Sequence, residues 1–371
     1  MKAGKYVGPK LVQVAEIEKP IIAEGEALLK VSYGGICGTD MMIYAGQHPR
    51  AQSSLTMGHE FSGVIEEIKG MSSFKKGDRV VVEPTISCGE CRPCQSGNSH
   101  VCESLKLIGI DVDGGFSEYA KVPINRLHKV PDELPLNLAA LTEPVAVAVH
   151  SVRRSTLKVG ESVAILGAGP IGLLIGLIAQ LNGAKDIYVS DISPFRLGIA
   201  EQMGFRAIHA KETNVVDEIR ARNNNEFIDV VFEVAGSQQT VDQMIPLIKT
   251  QGQIVVVSVF KNKPALSLAD MHFRELSITT TRCYTSDDFR TAVELMASAK
   301  VDFSTLISHE FHIDDIDKGF SVMKNTEESL KVLITKQVKG DLNEFIFARR
   351  KSGSSHRSNS WHWSCLGLGI S

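Results

Sequence analysis

The chain has 371 residues, 43% of them hydrophobic and 22% charged, with a formal net charge of −3. That length suggests two cores rather than one, and the balance is that of a globular protein. The near-neutral charge leaves no basic footprint for nucleic acid or an anionic membrane. The longest apolar stretch, Ile171 to Leu181, is about half what a bilayer span needs. Met1 to Lys10 lacks the apolar core of a signal peptide, so a cytoplasmic protein is expected.

From Met1 to about Thr142 the sequence is strand-like and turn-rich. Short runs at Ala27–Tyr33, Phe61–Ile68 and Asp78–Glu83 are broken by Gly and Pro, and no clean helical period appears. From about Val145 strands and helices alternate. Ser162–Leu166 reads as a buried strand and Ile171–Leu181 as an apolar helix. Further strands are predicted at Ile187–Ser190, Asp229–Glu233, Gln253–Ser258 and Leu276–Thr280, a pattern that implies a doubly wound parallel sheet. Helices near 286–299 and 314–324 and a strand at Lys331–Thr335 end the compact part. The expected division is a β-rich domain over 1–144, completed by about 283–340, and a nucleotide-binding domain over 145–282. Residues 341–371 read as a disordered or non-native tail, serine-rich, with both tryptophans, Trp361 and Trp363.

Cys88, Cys91, Cys94 and Cys102 are spaced C-x2-C-x2-C-x7-C. Four thiolates this close can close a tetrahedral shell around one zinc with no open position, a structural staple. Neighbours at that spacing suit disulfides poorly. Five of the seven cysteines fall in metal-type positions, which fits a reducing compartment.

Gly167-Ala-Gly-Pro170-Ile171-Gly172 follows a predicted strand and opens a predicted helix. Gly167 permits a tight turn, Gly169 lets the backbone approach a pyrophosphate, and Gly172 allows close packing of helix on strand. Asp191 follows Gly172 by nineteen residues, where its carboxylate can accept the ribose hydroxyls of NAD. A 2′-phosphate there would meet repulsion on the order of 4 kcal/mol at about 4 Å. Arg196 is a nearby cation that would partly offset it. NAD is the expected cofactor.

Cys37 lies in Gly34-Gly-Ile-Cys-Gly-Thr-Asp40, and His59-Glu60 lies in Gly58-His-Glu-Phe-Ser-Gly63. With the cysteine loop, the glycine turn and Glu143-Pro144, they make the chain resemble the zinc-containing medium-chain dehydrogenases over about residues 1–340. Gly114–Tyr119 and Glu143–His150 place it nearest the polyol, sugar-acid and threonine dehydrogenases. The resemblance implies a GroES-like catalytic domain joined to a Rossmann domain, with two zinc ions, one catalytic and one structural. It implies Cys37 and His59 as catalytic zinc ligands and Glu60 as a third, directly or in exchange with water. Glu143 would face the same metal, and Thr39 would pass the alcohol proton towards solvent. Gly167, Gly169, Pro170, Ile171, Gly172, Asp191, Arg196 and Arg282 would line the cofactor.

A zinc with an open position is a Lewis acid that lowers the pKa of bound water from roughly 15.7 to about 7. An alcohol held likewise could surrender a hydride to nicotinamide. The expected activity is oxidation of a secondary alcohol of a polyol, sugar acid or related hydroxy compound. The rival substrates are threonine and a vicinal diol such as butanediol. A non-enzymatic NAD-binding redox sensor is the rival from another class. One position departs from the family pattern: Met42 stands where a histidine is common, and methionine cannot relay a proton. Relatives are dimers or tetramers, so a homo-oligomer acting on a small molecule is expected, with no nucleic-acid or membrane partner.

Overall fold

The computed structural model describes residues 1–336. The tail expected beyond about residue 340, with Cys365, lies outside them. Among the described residues no helix is long and apolar enough to cross a membrane.

The alternation from about Val145 onward builds a six-stranded, wholly parallel sheet. Its spatial order is Arg206–His209, Asp186–Asp191, Ser162–Leu166, Ile228–Glu233, Ile248–Val256, Ser277–Thr280. The order reverses at Ser162–Leu166, which is the doubly wound arrangement. Val163 and Ile165 pack into one apolar cluster while Ala164 and Leu166 pack into another. Such burial on both faces is why this strand reads as an unbroken apolar run. At its end the chain turns at Gly167 and enters the helix Pro170–Leu181. A Cβ at Gly172 would overlap the Gly167 carbonyl oxygen, so only glycine lets the helix pack this closely on the strand.

The first part of the chain is β-rich. Its larger sheet has seven strands, ordered Leu127–Lys129, Arg79–Val82, Glu60–Lys69, Glu26–Ile36, Lys331–Thr335, Ile307–His312, with Tyr119–Pro123 also paired to Glu26–Ile36. The last two described strands therefore return to the sheet that Glu26–Ile36 began, while Lys2–Gly8, Leu11–Glu16 and Leu55–Thr56 form a separate three-stranded sheet. Ser162–Leu166 and Lys331–Thr335 have the predicted limits. The strand expected at Gln253–Ser258 runs instead from Ile248 to Val256. Arg206–His209, Ile307–His312 and the seven-residue helix Gly38–Tyr44 carry too little apolar period to be read from sequence.

Across the central strand of this sheet two charges meet. Gly35 pairs with Glu60 on one side, and Ile36 pairs with Val332 on the other. Lys331 and Glu60 therefore flank the same strand end. The Lys331 ammonium donates to both Glu60 oxygens, at 2.8 and 2.6 Å, with side chains only 3% and 1% exposed. Burial opposes the charge on Lys331, yet the Glu60 carboxylate outweighs it and raises the Lys331 pKa above its usual value. A buried pair contributes little net stability, but removing one partner leaves an uncompensated charge at about 3–5 kcal/mol. Lys331→Met is therefore expected to lower the unfolding free energy of metal-stripped protein by roughly that amount. Adding Glu60→Gln should recover much of the loss in a urea titration. An unchanged midpoint in the single variant would mean that the pair is not formed.

Candidate active site

Cys37 stands where the strand Glu26–Ile36 gives way to the helix Gly38–Tyr44. Its backbone N–H donates to Asp40 Oδ2 at 2.9 Å, which pins the turn. His59 directly precedes the strand Glu60–Lys69. A Cβ at Gly35 would strike the Glu60 carboxyl, so the glycine opposite Glu60 leaves the space its side chain fills. Ligand atoms of Cys37, His59 and Glu60 all lie within 4.8 Å of one another, with His59 and Glu60 buried. His59 Nδ1 is buried and has no hydrogen-bond partner, and the buried Asp40 Oδ1 lies 3.6 Å away. Burial pushes the His59 pKa down, but the charges of Asp40 and Cys37 prevail and hold it well above the ordinary value. A thiol, an imidazole and a carboxylate gathered this closely are a donor set that suits zinc, which accepts S, N and O ligands together.

The second cluster is the cysteine loop. Cys91 and Cys94 sulfurs lie 3.4 Å apart, Cys88 and Cys102 3.5 Å, Cys91 and Cys102 3.8 Å, and Cys88 and Cys94 3.9 Å. These separations are too long for disulfides, whose bond is about 2.05 Å. A tetrahedron of Zn–S bonds of about 2.3 Å has edges of about 3.8 Å, so the four sulfurs fit one ion. The Cys88 backbone N–H, donating at 3.3 Å, holds the Cys102 thiol down to about 6, where a thiolate is readily formed.

Glu143 sits in the first turn of the helix Thr142–Arg153 and is buried. It is not one of the three clustered groups, but the charges of His59 and Glu60 both reach it. Burial first and then Glu60 push its carboxyl up to about 7, against His59 and the Tyr284 hydroxyl. That hydroxyl donates to Glu143 Oε1 at 3.0 Å. Thr39 is half-buried two residues from Cys37, and Met42 is half-buried on the same helix. His48 Nδ1 accepts the N–H groups of Arg50 and Ala51 at 3.4 and 3.3 Å. His150 is buried against Asp288 at 2.8 Å.

On the nucleotide side, Gly169 is the N-cap of the helix whose first residues are Pro170 and Ile171. The free N–H groups at such a helix start suit a pyrophosphate. Asp191 closes its strand and accepts the Ala168 N–H at 2.7 Å, so the acidic residue and the glycine turn are joined. Arg196 packs over the same turn, its Nη1 4.0 Å from where a Gly169 Cβ would sit, and its Nε donates to the Ser329 carbonyl. Arg282 is exposed just beyond the strand Ser277–Thr280. Sequence reasoning missed Lys331 and Tyr284. Neither belongs to a local motif, and only their partners far along the chain give them a role.

The chain is similar to known proteins over most of its length. Residues 23–132 match the alcohol dehydrogenase GroES-like domain, and residues 170–298 match the zinc-binding dehydrogenase domain. The chain is 37% identical over 336 residues to a 2-dehydro-3-deoxy-L-galactonate 5-dehydrogenase of Pseudoalteromonas atlantica, covering 90% of this chain and 98% of that protein. The solved 2R,3R-butanediol dehydrogenase of Bacillus subtilis superposes with a TM-score of 0.85 at 33% identity, over 91% of this chain and 99% of that one. A solved alcohol dehydrogenase of Escherichia coli, complexed with the cofactor NADH, superposes with a TM-score of 0.84 at 29% identity, over 90% and 99%. The chain belongs to the zinc-containing medium-chain alcohol dehydrogenase family, a GroES-like domain joined to a Rossmann domain, and is a zinc- and NAD-dependent oxidoreductase.

Proposed function

We propose that the chain oxidises a secondary alcohol of a polyol or sugar acid to the ketone, with Cys37, His59 and Glu60 holding the catalytic zinc. The observation that carries this reading is the thiol–imidazole–carboxylate cluster, whose ligand atoms lie within 4.8 Å of one another with His59 and Glu60 buried. The sugar-acid relative, similar over nearly its whole length, supports the substrate class.

Zinc bound there supplies Lewis acidity, which favours the deprotonated form of an alcohol. The surrounding residues supply the rest. Asp40 stands behind His59 and favours an oriented imidazole. Lys331 holds the Glu60 carboxyl in place through two hydrogen bonds. Thr39, at the rim of the helix carrying Met42, takes the alcohol proton towards solvent; Met42 itself cannot carry it further. Cys88, Cys91, Cys94 and Cys102 hold the structural zinc. The Gly167–Gly172 turn binds the pyrophosphate, Asp191 the adenosine ribose, and Arg282 the dinucleotide, with Arg196 beside them.

We assign the protein to the cytoplasm, where these thiols stay reduced. We also assign it a homodimer or homotetramer built on the edge strand Ser277–Thr280. Ile278 on that strand and the neighbouring Phe273, Leu268 and Val259 are all exposed apolar residues. An unpaired strand edge beside such a patch favours pairing with a second copy.

The direct test is initial-rate NADH production over polyols, aldonates, uronates, threonine and vicinal diols, on protein of determined zinc content. A preferred polyol or sugar acid is expected; preference for threonine or a diol would overturn the substrate class. Activity on none of them, in protein that binds zinc and NADH, would favour the sensor reading. Cys37→Ser is expected to lower kcat roughly a thousandfold or more while NADH binding, read by fluorescence, persists. Cys94→Ser should cost one zinc per chain and lower the melting temperature, since a structural site contributes folding energy. Asp191→Ala should narrow the preference for NAD over NADP by roughly tenfold or more in kcat/KM.

A further inference from the structure

Two carboxylates border the metal site, and they are held in unlike ways. Glu60 takes two charged hydrogen bonds from Lys331. Glu143 takes a single bond from an uncharged donor, the Tyr284 hydroxyl, at 3.0 Å. One bond from a hydroxyl holds a carboxyl less firmly than two from an ammonium, so the Glu143 tether is the one that a small backbone shift can break.

Tyr284 ends a strap of four residues, 281–284, that starts on the nucleotide sheet. The Thr281 N–H donates to the Val256 carbonyl at 3.1 Å, which anchors the upstream end. Thr285 caps the helix Ser286–Ala297, and its capping partner Asp288 also binds His150 and Arg153, which anchors the downstream end. Between the anchors, Cys283 has a φ of +49°, a left-handed conformation that side-chain residues adopt at a cost. The Cys283 side chain packs against the apolar clusters on both sides of the strap. Burial and the Glu143 charge raise its thiol pKa, while Arg282 and His59 oppose them, so all three charged groups surround it. Arg282 is exposed and Tyr284, two residues on, is 1% exposed, so the two ends of this turn face opposite environments.

We propose that Tyr284 is a positioning residue that couples cofactor occupancy to the metal site: NADH contacting Arg282 shifts the strap, and the Tyr284 hydroxyl moves the Glu143 carboxyl with it. The proposal rests on the dehydrogenase reading, with Arg282 at the dinucleotide and Glu143 at the metal. Coupling between sites is reciprocal in binding free energy. Metal at the Cys37 site must then change NADH affinity by the factor by which NADH changes metal affinity.

The test compares NADH dissociation constants, by fluorescence, for protein as isolated and for protein dialysed against a chelator until one zinc per chain remains. In the parent the two constants should differ by roughly 5- to 150-fold. Tyr284→Phe keeps the ring and its contact with Phe289, so its melting temperature should stay near that of the parent while the ratio falls to about one. Glu143→Gln should collapse the ratio equally, and the double variant should add nothing, as expected for two residues acting through one bond. A parent ratio near one, or a Tyr284→Phe ratio equal to the parent's, overturns the coupling. Protein that binds no NADH in either form would overturn the dehydrogenase reading beneath it.

Discussion

The buried pair between Lys331 and Glu60 is the interaction on which the rest of the site depends. Neither charge is tolerable in so dry a place alone. Glu60 brings its carboxylate to the end of the central strand Glu26–Ile36, and the ammonium that stabilises it arrives on Lys331–Thr335. Between them in the chain lies the entire nucleotide-binding sheet. The pair that flanks the metal-type cluster therefore exists only where the last described strand lies beside the central one.

The same economy of partners shapes the rest of the centre. His59 turns its Nδ1 towards Asp40, 3.6 Å away, and groups with Cys37 and Glu60 so that their ligand atoms lie within 4.8 Å of one another. The four cysteines of the loop stand at separations that suit one ion rather than two disulfides. On the other side, the Gly167 turn and Asp191 are tied by the Ala168 N–H, so the groups facing the phosphates and the ribose form one unit. The link between the two halves is the short strap ending at Tyr284. It carries a hydrogen bond from the end of the nucleotide sheet to the edge of the metal cluster.

Much of this is legible in the amino-acid sequence. The strand Ser162–Leu166 is apolar from Val163 onward because both its faces are buried, and the glycine turn after it has a spacing set by local backbone geometry. The cysteine loop is legible for the same reason, since its four sulfurs lie within fifteen residues. Illegible were the polar strand Ile307–His312, whose partner is the distant Lys331–Thr335, and the short helix Gly38–Tyr44, which has no room for a period. Glu143 was read as a group facing the metal. The structure finds it tethered to Tyr284, with its carboxyl raised to about 7 by burial and by Glu60.

By itself, then, the sequence determined which donors are present, how they are spaced locally, and that a doubly wound sheet follows a β-rich one. Those properties follow from contacts between near neighbours, whose geometry the backbone dictates. Only the tertiary structure decided which partner each carboxylate keeps. Lys331 reaches Glu60 across 271 residues, and Tyr284 reaches Glu143 across 141. Such pairings depend on how distant elements meet, and neither Lys331 in its apolar strand nor Tyr284 in its polar turn carries a local sign of the charge it will meet.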